Sequence, residues 1–222
     1  MAAGTDVTQL LLTVVVLAVP VLAAVVCHEV AHGAVAYACG DRTAAEHGRL
    51  TLNPLPHIDP IGTVALPGVL LLVAYLTGAT PFVFGYARPV PVDYTRLRRP
   101  RRDAILVALA GPGTNLLLAL GSVIVLGLVG GSPGPVSVRQ ALAQLAIASL
   151  WVNSVLVVFN LLPIPPLDGG RVLAALLPRR SARVLASLEG VGLLVALLLW
   201  TNSNLAARVV GPLVSSLLGL VG

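Results

Sequence analysis

The stretch VVCHEVAHGAV, residues 25–35, places two histidines and a glutamate in the middle of an apolar run. Apolar residues flank it on both sides, from residue 9 to residue 39, before Gly40, Asp41 and Arg42 stop the pattern. As a helix bent near Pro20, such a run is about 45 Å long, enough to cross roughly 30 Å of hydrocarbon with tilt. Charged groups at mid-bilayer cost about 2.5 to 3.5 kcal/mol on insertion scales and are functional by default. The stretch therefore reads as a membrane span that carries chemistry.

The rest of the chain supports a membrane setting. Of its 222 residues 57% are hydrophobic and 10% charged, with a mean hydropathy of +0.94, against about 25% charged residues in a soluble domain. The expected fold is an all-α polytopic bundle of about four to six transmembrane helices in one domain, residues 1–222. The first apolar run lacks a basic leader and a small-residue cleavage site, so it is taken as a retained span. All 14 basic residues are arginine, and they cluster beside apolar runs. That pattern sets membrane orientation and argues against nucleic-acid binding. Cys27 and Cys39 lie about 18 Å apart along a continuous helix, too far to bridge.

After the first helix, the polar, Pro-rich segment 40–62 contains the alternation Arg49, Leu50, Thr51, Leu52, which predicts a short strand or hairpin. Residues 61–77 are apolar but interrupted by Pro67 and Gly68, and read either as a span or as a re-entrant segment. Pro89 and Pro91 predict extended chain in PFVFGYARPVPVDY, residues 81–94. Long helices are expected over 104–129 and 138–162, the second breaking at LLPIPPLDGG. A last helix covers 184–200, and 205–222 is either a further span or an interfacial helix. The five arginines of TRLRRPRRD and the cluster Arg171, Arg179, Arg180, Arg183 mark the cytoplasmic side.

His28 and His32, four residues apart, point to one side of a helix, the geometry of a two-histidine zinc clamp. Glu29 stands at the rim of that face, where a carboxylate can take a proton from water activated by the metal. A catalytic zinc needs a third protein ligand and an open position. Asp168 is the best candidate, because the proline-rich turn before it and the glycines after it allow close approach. It also lies about as deep as His28: each is about eleven residues, up to about 16 Å, from an arginine-marked boundary. The competing reading makes Asp168 the N-cap of a helix starting at Gly169.

HEVAH at 28–32, AGPGTN at 110–115 and FNLLPIPPLDGG at 159–170 resemble the site-2 protease family of intramembrane zinc metalloproteases. GRLTLNPLPHIDPIGT and ARPVPVD resemble its compact bacterial branch, without a PDZ or CBS domain. The resemblance spans most of residues 25–175. It implies zinc ligands His28, His32 and Asp168, with Glu29 as general base. It also implies that Asn160 lies near the active site, holding substrate or the oxyanion, a role that competes with a simple helix-end hydrogen bond. Gly111 and Asn115 match family positions and are read as helix-contact residues. His57 and His47 are weighed as further ligands and set aside, since three are already assigned.

The expected activity is hydrolysis of a peptide bond in a membrane-spanning protein substrate near its cytoplasmic side, with the lipid bilayer as the other partner. The strand expected at Arg49 to Leu52 would offer the unwound substrate backbone new hydrogen bonds. The rivals are a transporter or channel, suggested by Gly/Pro-interrupted helices, and a metal-binding membrane protein without activity. The arginine-only, Ala/Val/Leu/Gly-rich composition suggests a bacterial cell membrane.

Overall fold

The computed structural model describes residues 7–78, 85–131, 136–202, 204 and 206–221. Helix α1 (Val7–Ala38) continues through Pro20 and ends where expected. Gly40 adopts φ 113°, Gly40 N–H donates to Tyr37 C=O and Asp41 N–H to Ala36 C=O. This double bond pattern satisfies the last carbonyls of a helix and needs a residue that tolerates positive φ. A single turn, α2 (Thr43–Glu46), follows.

The strand expected at Arg49 to Leu52 does not form: among the described residues there is no strand. Alternation alone is insufficient, because a strand exists by pairing its backbone. Here the Thr51 carbonyl accepts from His57 Nε2 at 2.9 Å, and the Thr51 hydroxyl accepts from Asn53 N–H at 3.1 Å, closing a local turn. Strand addition at this place loses its template.

Residues 61–77 form a helix. It opens as a wide turn (Pro60–Ala65) and continues as α3 (Leu66–Thr77). Asp59 caps it, accepting from Ile61 N–H and Gly62 N–H, while Pro60 occupies the first turn, where its missing N–H is harmless. Together these residues make an 18-residue helix apolar enough to span. Most of its large side chains, including Val69, Leu72, Tyr75 and Leu76, face outward.

The bundle is built on α4 (Pro100–Gly131), which packs along both α1 and α5 (Val136–Asn160). Asp103 fixes the start of α4 by accepting from Arg99 N–H at 2.8 Å. After the LLPIPP turn, α6 (Asp168–Leu176) packs on α4. The helix expected over 184–200 is broken: α7 (Arg179–Ser187) meets α8 (Glu189–Asn202) at 70°. Arg179, Arg180 and Arg183 keep α7 out of hydrocarbon while the apolar α8 can enter it. Near the C-terminus a wide turn (Ala206–Val210) leads into α9 (Gly211–Leu218). That unit is about 18 Å long, too short to span. It packs Val210, Val214 and Leu217 against Ala119, Val123 and Leu150 of α4 and α5.

Among the described residues four helices are long and apolar enough to cross a membrane, or five if the bent α7–α8 pair is one span. Leucines and valines cover their outer faces, while histidines, asparagines and serines are buried between them. The protein is a multi-pass membrane helix bundle whose polar groups face inward.

Candidate metal centre

His28, His32 and Asp168 come together at the α1–α4–α6 junction, all buried. The two Nε2 atoms lie 3.0 Å apart, and Asp168 Oδ2 lies 3.2 Å from His28 Nε2 and 3.4 Å from His32 Nε2. Asp168 does not cap a helix. It is the first residue of α6, Leu167 precedes it as the boundary residue, and its carboxylate turns toward the histidines.

The outer nitrogens decide what the inner ones carry. His32 Nδ1 is 2.6 Å from the Val107 carbonyl, which can only accept, so Nδ1 holds a proton and in the neutral ring Nε2 is bare. His28 Nδ1 is 2.6 Å from Asn115 Oδ1. The orientation of Asn115 is set in turn by its Nδ2, which donates to Ala24 C=O and to Asn153 Oδ1. Asn153 Nδ2 donates to Ser149 C=O and Oγ, and Ser149 Oγ accepts from Ser122 Oγ. His28 Nδ1 therefore donates as well, and its Nε2 is also bare.

With both rings neutral, three lone pairs then face one another. Asp168 Oδ2 has no hydrogen-bond donor although it is buried. Such an arrangement is repulsive unless a cation or a proton occupies it. Ligand atoms about 2.0 to 2.1 Å from a tetrahedral zinc lie about 3.3 Å apart, close to the three separations found. Two neutral imidazoles and one carboxylate fit zinc in a catalytic, three-ligand site.

Glycines make room for this meeting. A Cβ on Gly111 of α4 would lie 2.5 Å from His28 Cε1 and from His32 Nε2. Gly169 and Gly170 lie against the backbone of Leu161, Leu162, Ile164 and Pro165. The close approach is thus to the preceding proline-rich turn, which sets the direction of Asp168. Arg171 lies 3.7 Å from the outer oxygen, Asp168 Oδ1.

Glu29 is half-buried on α1, and its Oε2 accepts from Val90 N–H at 2.8 Å. Val90 belongs to residues 85–93, neither helix nor strand, as the prolines suggested. Tyr86 N–H donates to Gly62 C=O and Arg88 N–H to His57 C=O. Every second N–H from 86 to 90 is therefore engaged, the period of an extended chain. Asp93 N–H is held by Asp41 Oδ2 at 2.7 Å. Burial pushes the Asp41 carboxyl up, but bonds from Thr43 and Asp93 N–H and the Arg96 charge bring it below the ordinary carboxylate value.

Asn160 Nδ2 donates to Leu156 C=O at 3.0 Å, the helix-end bond weighed from the sequence. His57 is buried in the 54–59 turn and is no part of the three-residue cluster, and His47 binds Thr43 C=O on the exposed side. The sequence reading missed Val107 C=O, Asn153 and Val90 N–H in the second tier, and took Asn115 only for a helix contact. Asn153 had a usable signal, a polar residue in an apolar span.

A membrane bundle that aims two bare imidazoles and a carboxylate at one point, with a glutamate beside them, belongs to the class of metallohydrolases. Residues 133–199 match peptidase family M50. The chain is 38% identical over 191 residues to the "Putative zinc metalloprotease YwhC" of Bacillus subtilis, covering 85% of this chain and 81% of that one. It is 34% identical over 173 residues to the Rip2 protein of Mycolicibacterium smegmatis, covering 78% of this chain and 61% of that one. To the Rip2 protein of Mycobacterium tuberculosis it is 32% identical over 180 residues, covering 80% and 63%. Both Rip2 proteins bear the same zinc metalloprotease description. No solved structure matches the chain. The chain belongs to peptidase family M50, the site-2 protease family of intramembrane zinc metalloproteases.

Proposed function

We propose that the protein cuts a peptide bond of a membrane-spanning protein in the cytoplasmic half of the cell membrane. His28, His32 and Asp168 hold one zinc ion and Glu29 is the general base. The observation that carries this reading is the convergence of three bare donor atoms beside a carboxylate held by Val90 N–H. We take residues 1–222 as one intramembrane domain with its catalytic core in 25–175.

Bound zinc supplies Lewis acidity, acidifying water and polarising a carbonyl. The Val90 bond occupies Oε2 of Glu29 and fixes the carboxylate plane. The other oxygen takes a proton from water and later delivers one to the leaving amine. Asn115 and Val107 C=O keep both imidazoles in the tautomer that presents Nε2 inward. The arginine loop folds against the end of α1, where Arg98 N–H donates to Cys39 C=O and Arg96 pairs with Glu46 at 3.0 Å. These arginines and those of α7 support a cytoplasmic assignment for this end of the bundle.

The test compares wild type with Glu29→Gln. Zinc is measured by elemental analysis, and cleavage of single-span membrane proteins is mapped by mass spectrometry. Near-stoichiometric zinc in both is expected, with cleavage by wild type alone and cuts near the cytoplasmic end. Equal cleavage by the two would refute Glu29 as the base, and wild type without zinc would end the scheme.

A further inference from the structure

A cavity of about 70 Å³ lies between α1, the 54–63 turn and the start of the extended 85–93 segment. That is several times the roughly 10 to 15 Å³ that one water needs, and it suits a valine- or leucine-sized side chain. Leu22, Val25 and Val26 form its α1 wall, and Tyr86 and Ala87 face them. Its lining is mainly apolar, with Thr63 and the buried His57 among its few polar side chains.

His57 is present in an unusual state for so buried a ring. Nε2 lies 2.9 Å from the Thr51 carbonyl and so carries the proton. Nδ1 is then an acceptor, and it has no partner among the described residues. A buried acceptor left without a donor costs about 1 to 3 kcal/mol, which invites a ligand that brings an N–H or O–H.

Position supplies the rest. Leu22, Val25, Val26 and Glu29 follow helical i, i+3, i+4, i+7 spacing, so the cavity wall and the base share one face of α1. From Leu22 to Glu29 is about 10 Å along the helix. From Ala87 to Val90, the residue that holds Glu29, is also about 10 Å of extended chain. The helix and the extended segment thus run side by side from the cavity to the carboxylate.

We infer that this cavity is a substrate subsite: it takes an apolar side chain two or three residues from the cut bond, and His57 Nδ1 accepts a backbone N–H of the unwound substrate there. The inference rests on the protease reading above. A helix unwound in lipid loses its internal hydrogen bonds and needs new partners, and His57, one of the residues lining the cavity, brings a buried acceptor that has no donor among the described residues. Apolar burial beside it favours Val or Leu over Gly at that one substrate position.

The probes are single-span peptides of about 20 Leu and Ala residues with a Gly-Asn break in the cytoplasmic third. Positions around the break are varied one at a time among Gly, Ala, Val, Leu and Phe. Binding is measured by fluorescence on zinc-loaded Glu29→Gln, and cut sites are mapped with wild type. One position two or three residues from the cut should favour Val or Leu over Gly by about tenfold or more. Val25→Phe in either background should reverse that preference toward Gly and Ala with zinc content unchanged. His57→Phe should weaken all peptides by a similar factor, raising KM more than it lowers kcat. The same side-chain preference with and without Val25→Phe, in folded, zinc-replete protein, would overturn the subsite. Zinc-loaded wild type that cuts no peptide defeats the protease reading instead, while the binding series still decides the cavity.

Discussion

The clustered donor atoms and Glu29, the proposed base, are held by opposite means. His28 and His32 are each fixed from behind by a group on α4, and Asn115 passes its own constraint to Asn153 and Ser149 on α5. Glu29 is fixed by one backbone N–H on a segment with no regular structure, itself tied down at Gly62, His57 and Asp41. Under the proposed mechanism, metal affinity depends on helix packing and side-chain identity, whereas the aim of the base depends on the path of an extended chain. The two should fail separately.

The largest effect is expected from Gly111→Ala. Its Cβ would stand 2.5 Å from both imidazoles, so bound zinc and cleavage should both vanish while circular dichroism still reports the helices. Zinc retained at wild-type level would mean that α4 can recede from α1.

Val90→Pro strikes the other side of the comparison. It removes the N–H donor without touching a ligand, and a hydrogen bond to a charged group is worth about 1.5 to 3 kcal/mol. Cleavage should fall about 10- to 100-fold with zinc still stoichiometric. Loss of zinc in this variant would show that base and metal are not separately supported.

Asn115→Ala should weaken zinc about 10- to 100-fold in chelator competition, the usual scale for a residue behind a ligand. An unchanged affinity would make Asn115 a packing residue only.

The smallest effect concerns the anchor at the far end of the extended segment. The Asp41 carboxyl is lowered in the folded protein, so its contribution to stability is fully present above its unfolded value near pH 4. It is lost as pH falls through the lowered folded value. The stability gap between wild type and Asp41→Asn in denaturant melts should be widest at neutral pH and narrow below about pH 4. A gap independent of pH would place the effect in packing instead.

The same contrast explains what could be read in advance. HEVAH was legible because helical spacing turns residue order directly into geometry, and Asp168 because depth from arginine-marked boundaries can be counted along helices. Gly40 announced the end of α1 through the one backbone conformation that demands it. The fold was legible wherever length and hydropathy decide, and less so where a break depends on charge, as at Leu188 between α7 and α8. Arg49 to Leu52 misled because alternation is a property of one segment, while a strand is a property of two. Asn115 matched a family position yet was read as packing, since nothing in its neighbours shows that His28 lies opposite. Val90 gave no signal at all: what it contributes is an N–H that nineteen residue types would supply.

The three facing lone pairs have a further consequence. His28 and Asp168 are 140 positions apart, and like-charged electron density pushes the helices that bear them apart unless a cation or protons intervene. Metal uptake would therefore act as a late fastening between an early helix and a late one, since binding free energy at such a site is folding free energy. A chain stripped of metal should open first at this seam, so that only a correctly loaded molecule is a rigid one.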